Sequence, residues 1–229
     1  MKLSIIIPMA VNEQAWKDLI HDLVGLPPNS EIIFALQQGA PFVEMPESYP
    51  WAGIKQISEG MGRAAQMNVA ARLADGTQLW FLHADSRLNQ KTIPALLRSL
   101  NQYPECLLYG DLKFSSDATL LMKLNEIGAW VRSRFLGMPF GDQGFCISRK
   151  LFCEIGGYPE NVKYGEDHVF VWRARQRGIV LRSIDAPFYT SARKYRDHGW
   201  FKTTARHLVL TCKQAWPEFC RFVFRRRGA

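Results

Sequence analysis

The chain has 229 residues, 47% hydrophobic and 22% charged, ordinary for a soluble globular protein and enough for one large α/β domain plus an extension. It holds no run of about 18 uncharged apolar residues, which excludes a transmembrane helix of ordinary length, and the opening "MKLSIIIPMA" is too short in its apolar run for a signal peptide. The net charge of +8 is uneven: from Trp172 onward fourteen Lys/Arg face three Asp/Glu, so this stretch carries +11 and the rest −3. Such asymmetry reads either as a solvated basic tail or as a surface for phosphates, anionic membrane or nucleic acid. The five cysteines form no C-x-x-C pair and no zinc-like spacing, which suits reduced thiols in a cytoplasmic protein.

In chain order, "LSIIIP" (3–8) and "EIIFAL" (31–36) are Ile-rich runs of the kind found in strands buried on both faces of a parallel sheet. Between them Ala15, Leu19, Leu23 and Leu26 recur at helical spacing before a Gly and Pro stop. "GIKQIS" (53–58) is a weaker strand, "GRAAQMNVAARLADG" (62–76) an Ala-rich helix, and "TQLWFLHA" (77–84) the next strand. This alternation predicts βαβ units and a mostly parallel central sheet with flanking helices. Further on, "CLLYGDLKFS" (106–115) reads as a strand, and Leu120, Leu124, Ile127 and Val131 mark one face of a helix. "FGDQGFCIS" (140–148) is a Gly-flanked loop entering a short strand. A short helix, the helix of "EDHVFVWRARQRG" (166–178) and a last core strand, "IVLRSI", follow.

In open parallel sheets, ligands bind beyond the carboxyl ends of the strands. The loops "PMAVNE", "QQGA" and "HADS" fall there. Asp85 of "HADS" is therefore placed to hold a divalent cation on a diphosphate, and departure of a nucleoside diphosphate needs that charge neutralised. The same acid also reads as an N-cap for a helix near Lys91. Arg63, behind Gly60 and Gly62 at a helix start, is arranged to hold a phosphate through helix dipole, backbone N–H groups and guanidinium; otherwise it is one exposed arginine. Gln66 and Asn68 are polar in an Ala-rich helix. Glu166 and Asp167 open a helix, either as capping acids or, with no strong pairing partner after them, with one acid presented into a cleft as a base toward an attacking hydroxyl.

Together these residues resemble the glycosyltransferases of GT-A fold, family 2 in particular. The likeness runs from "SIIIPMAVNE" through "GRAAQMNVAARLADGTQLWFLHADS", "FGDQGFCISRKLFCEIGGYPE" and "GEDHVFVWRARQRG" to "TSARKY", about residues 3 to 196. The resemblance implies a GT-A domain over 1–190, with a Rossmann-like nucleotide-binding half, and a basic, partly amphipathic extension over 191–229. It also implies transfer of one sugar from a nucleoside diphosphate sugar to an acceptor hydroxyl, with inversion and a divalent metal, Mn2+ or Mg2+. Asp85 then matches the metal-contacting acid of a D-x-D motif and His83 stands at its first acid, on the nucleoside side. Arg63 faces the donor phosphates, and Pro8, Ala10, Glu13 and Gln37 (or Gln38) line the nucleoside pocket. Gln66 and Asn68 join the donor set. Gly141, Asp142 and Gln143 lie near the transferred sugar or acceptor, Asp167, paired with Glu166, is the catalytic base, and Arg193 holds the diphosphate from a closing loop. Two departures stand out. His83 replaces an acid, and the Q-x-x-R-W motif of processive synthases is absent, which favours single-sugar transfer.

Alternatives are a non-catalytic nucleotide-sugar binder, against which both Asp85 and Asp167 argue, and a nucleotidyltransferase, whose Gly-rich Arg/Lys loop "PMAVNE" lacks. A nucleic-acid partner, suggested by a pI near 9.4, is set aside for want of a stacking aromatic platform. In the tail, Leu208, Cys212, Trp216, Phe219 and Val223 mark an apolar stripe, with Pro217 expected to kink the helix or start a second. The stripe either packs on the domain or a second copy, or lies on anionic lipid as a peripheral contact at the inner membrane face that presents a lipid-linked acceptor.

Overall fold

All seven residues of the first strand, β1 (Leu3–Met9), are buried, and alternate side chains enter different cores. Leu3, Ile5, Ile7 and Met9 join one apolar cluster and Ile6 the other. The same split runs through β2 (Glu31–Leu36), where Ile32, Phe34 and Leu36 face one way and Ile33 and Ala35 the other. A strand covered on both faces has no polar side, which is why these runs are continuously apolar rather than alternating.

The computed structural model describes residues 2–44, 53–115, 120–162, 164–190 and 200–227, without the side chains of 206–208 and 223–227. The remaining strands are β3 (Ile54–Ser58), β4 (Gln78–Phe81), β5 (Leu107–Phe114), β6 (Cys146–Ser148) and β7 (Leu181–Thr190). They form one sheet in the order β3-β2-β1-β4-β6-β5-β7, parallel except for β6, which runs antiparallel to β4 and β5. Helices α1 (Trp16–Asp22) and α3 (Thr92–Gln102) cover one face; α2 (Arg63–Leu73), α5 (Arg149–Ile155) and α6 (Glu166–Gln176) cover the other. The mostly parallel sheet with flanking helices is the architecture expected from the alternating pattern.

Strand order decides where a ligand can sit. The chain runs outward from β1 to β2 and β3, then returns to β4 on the other side of β1. That reversal opens a crevice beyond the carboxyl ends of β1 and β4, the usual ligand position in such sheets.

Four local outcomes differ from the periodicity. Helix α1 is short: Ala15 is its N-cap, and Leu23 and Leu26 lie past its end yet are buried. The three-residue β6 carries its strand direction in register alone, pairing Leu79 with Ile147. In α4 (Leu120–Arg134), Met122 and Ala129 face inward, toward Leu112 and Phe114 of β5, and the buried Ser133 meets Gln143, while Leu120, Leu124, Ile127 and Val131 point to solvent. The C-terminal helix α7 (Trp200–Arg227) runs through Pro217, and no second helix starts there.

Helix α7 docks on α6. Gln214 Nε2 donates to the Tyr164 carbonyl, Gln176 Nε2 to Glu218, and Trp172 meets the rings of Phe219 and Phe222. On the tail stripe itself, Cys212, Trp216 and Phe219 stay exposed; the side chains of Leu208 and Val223 fall outside the description. Among the described residues, no helix is long and apolar enough to cross a membrane.

Candidate functional site

Beyond β4 the chain turns through His83–Ser86, closed by a bond from Ser86 N to the His83 carbonyl. Asp85 is exposed in this turn. It is not the cap of the next helix: the N-cap of α3 is Lys91, with no side-chain cap bond, and Thr92 N donates to the Asn89 carbonyl instead. That removes the capping explanation for the acid.

Helix α2 starts on the same side of the sheet. Its N-cap, Gly62, has φ 92°, and a Cβ at Gly60 (φ 88°) would lie 2.8 Å from the Ala65 carbonyl carbon, so the turn requires glycine. The turn sets Arg63 at the centre of the site. Its Nε donates to Glu166 Oε1 at 2.5 Å and one terminal nitrogen donates to Asp167 Oδ2 at 2.9 Å. The other terminal nitrogen stands 3.2 Å from His83 Nε2. One guanidinium thus joins the end of β4 to the start of α6, across more than a hundred residues of chain. The acid pair, expected to lack a strong partner, has one; a sequence separation of 103 hid it from the local pattern.

Glu166 and Asp167 occupy the first turn of α6 behind Gly165 (φ 79°), where the helix dipole favours negative charge. Burial pushes the Asp167 carboxyl up to about 6; Arg63 opposes that shift, and the charges of Glu166 and Asp142 add to it. Burial also acts against the charge of Arg63, but Asp167 and Glu166 outweigh it and hold the guanidinium protonated. Asp167 is therefore a carboxylate at neutral pH with a basicity well above that of a solvated aspartate, the condition for accepting a proton from a hydroxyl.

The Gly141–Gln143 turn lies against this carboxylate. A Cβ at Gly141 would fall 2.3 Å from Asp167 Oδ2. Gln143 is fully buried: its Nε2 donates to the Gly110 carbonyl, and its Oε1 accepts from Phe140 N and Ser133 Oγ. Its amide therefore fastens the turn to β5 and α4. Asp142 is half-buried beside Asp167.

The other expected donor residues divide into lining and tethering positions. Pro8 is buried within β1 and Ala10 is exposed just beyond it. Glu13 Oε1 accepts from the amides of Gln14 and Ala15, closing the approach to α1. Gln37 is exposed after β2, its carbonyl accepting from Ser58 Oγ. Gln66 is buried, and both N–H groups of its amide donate to the Met9 and Ala35 carbonyls, tying β1 to β2 at their ligand-side ends. Asn68 Nδ2 donates to the Tyr158 carbonyl and Glu160, and its Oδ1 accepts from Tyr158 N. These two amides hold the walls in place. Arg193 lies outside the described residues.

Sequence reasoning passed over His168 and Arg132. His168 is 2% exposed, meets the Phe140 ring edge-on at 5.6 Å, and is pushed down to about 4 by burial and by the positive charge of Arg132. The Arg132 guanidinium lies over the other part of that wall, 3.4 Å from the Phe140 ring centroid. Only the adjacency of His168 to the acid pair could have flagged it.

Among the described residues, no group of three or more His, Cys, Asp or Glu side chains is placed to hold a metal ion. Asp85 still fits a cation of the Mg2+ type, which characteristically takes one or two carboxylates and completes its shell with water and substrate phosphates.

No curated protein sequence matches the chain. Among solved structures it resembles a mannosyltransferase, PcManGT from Pyrobaculum calidifontis in complex with GDP-Man and Mn2+, with TM-score 0.68 at 17% identity over 97% of this chain and 68% of that one. It also resembles S. aureus TarS, with TM-score 0.61 and 17% identity over 83% of this chain, and TarS 1-349 in complex with UDP-GlcNAc to the same degree. The chain spans 37% of the former and 58% of the latter. These likenesses establish the GT-A fold. The sequence pattern of Glycosyl transferase family 2 matches residues 4–158, from β1 through the loop that follows α5. The chain therefore belongs to glycosyltransferase family 2.

Proposed function

We propose that the protein transfers a single sugar from a nucleoside diphosphate sugar to an acceptor hydroxyl, with inversion at the anomeric carbon. The observation that carries this reading is the Arg63 bridge, which holds a basic Asp167 carboxylate within one network with His83 at the end of β4. Asp167 takes the proton of the acceptor hydroxyl as its oxygen bonds to the anomeric carbon. The carbon–oxygen bond to the diphosphate breaks, and the electron pair leaves with the nucleoside diphosphate. Attack from the face opposite the leaving group inverts the centre.

In this reading the donor lies in the crevice beyond β1 and β4, with Ala10, Glu13 and Gln37 toward the nucleoside. Asp85 would hold Mn2+ or Mg2+, which when bound would supply charge neutralisation to the departing diphosphate. His83 takes the nucleoside side of the turn. Arg63 serves both donor phosphates and acid pair. Gly141 and Asp142 lie beside the acceptor. The solved relatives that carry UDP-GlcNAc and GDP-Man support a nucleotide-sugar donor, and the one that carries Mn2+ supports the metal. The acceptor is lipid-linked, met at a peripheral contact on the inner face of the membrane to which the basic C-terminal region contributes.

A panel of UDP-, GDP- and dTDP-sugars with and without Mn2+, read by thermal shift and donor hydrolysis, tests the reading. At least one donor raises Tm and is slowly hydrolysed. Asp85→Ala weakens the Mn2+-dependent part of the shift, while Asp167→Asn retains donor binding and loses turnover. Absence of any shift, with or without metal, contradicts the proposal.

A further inference from the structure

Helix α4 turns its apolar stripe away from the protein. Leu120 (77% exposed), Leu124, Ile127 (59%) and Val131 lie on one helical face, and Phe135 (72%) continues it past the last turn. The inward face is complete without them, because Met122 and Ala129 already fill the space over Leu112 and Phe114. A contiguous stripe of this kind marks an interaction surface rather than ordinary scatter.

The charges around the stripe choose the partner. Glu126 is occupied by Lys113 Nζ at 3.0 Å and by Phe114 N at 2.8 Å. The exposed ionic side chain of α4 is basic, Lys123. Helix α7 begins alongside: Trp200 packs on the Leu112–Met122 cluster and Asn125 Nδ2 donates to Thr204 Oγ1 at 3.5 Å. There Phe201 and Lys202 add one exposed ring and one more cation. An apolar band edged by Lys123 and Lys202, beside the start of the basic helix α7, fits an anionic lipid surface. A second copy of the chain packed stripe to stripe would bring the same lysines, Lys123 and Lys202, against each other.

We propose that the outward stripe of α4, with Phe201 at its edge, is the surface by which the protein seats on an anionic bilayer. The seat is built into the catalytic wall. From the same helix Arg132 covers the Phe140 ring and Ser133 bonds Gln143, whose turn lies against Asp167. The inference deepens the proposed function at one point, since it rests on that reading for the lipid-linked acceptor; the binding itself is independent of transfer.

Co-sedimentation of the full chain with vesicles tests it, using phosphatidylcholine alone and phosphatidylcholine mixed with phosphatidylglycerol. The wild type pellets with the mixed vesicles and much less with the neutral ones. The double variant Leu124→Glu, Ile127→Glu loses binding about tenfold or more, since two apolar side chains no longer enter the interface. Val180→Glu, exposed on another part of the surface, binds as the wild type does. Because the double change could disturb α4, Ile127→Gln with an unchanged circular dichroism spectrum serves as the second variant and is expected to weaken binding in the same direction. Failure of the wild type to pellet, or equal binding by folded variants, overturns the proposal. So does a wild-type dimer that the variants dissociate, which would assign the stripe to self-association. Donor hydrolysis in vesicle-free solution, measured in parallel, reports on the transferase reading separately.

Discussion

At the residue scale, the site depends on one arginine having three partners. Arg63 holds Glu166 and Asp167 while touching His83, so the Asp167 carboxylate, the proposed base, is positioned by the helix that also borders the crevice. Gly141 is the complementary requirement, because no side chain fits between its Cα and the Asp167 carboxylate. Gly141→Ala is accordingly expected to displace the base and lower kcat by roughly 10²-fold or more, with a smaller change in the donor KM; steady-state kinetics checks this, and an unchanged kcat would free Asp167 from that contact. Much of this was legible: Arg63, Asp85, the acid pair and the Gly141–Gln143 turn are recognisable in sequence. Gln66 and Asn68 were legible only as polar residues in an apolar helix. Their amides serve backbone carbonyls from other elements, and no local pattern records which partner a buried amide finds.

At the element scale, strand ends are joined by a second buried acid that motif reading did not reach. Glu31, at the start of β2, accepts from Ser4 Oγ, Asp75 N and Gly76 N, and pairs with Lys55 of β3 at 2.8 Å. Burial raises its pKa, but Lys55, Ser4 and the Asp75 amide together outweigh that and hold it below the usual carboxylate value. The stability it contributes is therefore present above its unfolded pKa and lost as pH falls through the lowered one. Glu31→Ala leaves the Ser4 hydroxyl and the Gly76 amide without this acceptor and is expected to cost about 3 kcal/mol at neutral pH, measurable by urea denaturation; a loss well under 1 kcal/mol would mean that the cluster is replaceable. An Ala-rich run located α2, the acids and arginines at its two ends located α6, and continuous apolar runs located β1 and β2. Periodicity located α4, but spacing alone does not say whether an apolar face meets the core or solvent. The antiparallel β6 is too short for any pattern to give its direction.

At the scale of the whole molecule, the reversal of strand order creates the crevice, α2 and the β4 turn border it, and α6 delivers Asp167, the proposed base. The family and fold were readable because these pieces occur in a fixed order along 4–158. What the linear order left open was the contact between α2 and α6, which joins Arg63 to the acid pair. The most direct test of that union is the pH dependence of donor turnover, kcat/KM, at fixed Mn2+ in the wild type and Asp167→Asn. With a base near 6, the wild-type rate is expected to be flat above about pH 7 and to fall about tenfold per pH unit below pH 6, while Asp167→Asn runs at a low rate with no inflection there. A variant that keeps wild-type turnover, or a wild-type profile that stays flat down to pH 4.5, would contradict the assignment of Asp167 as the base.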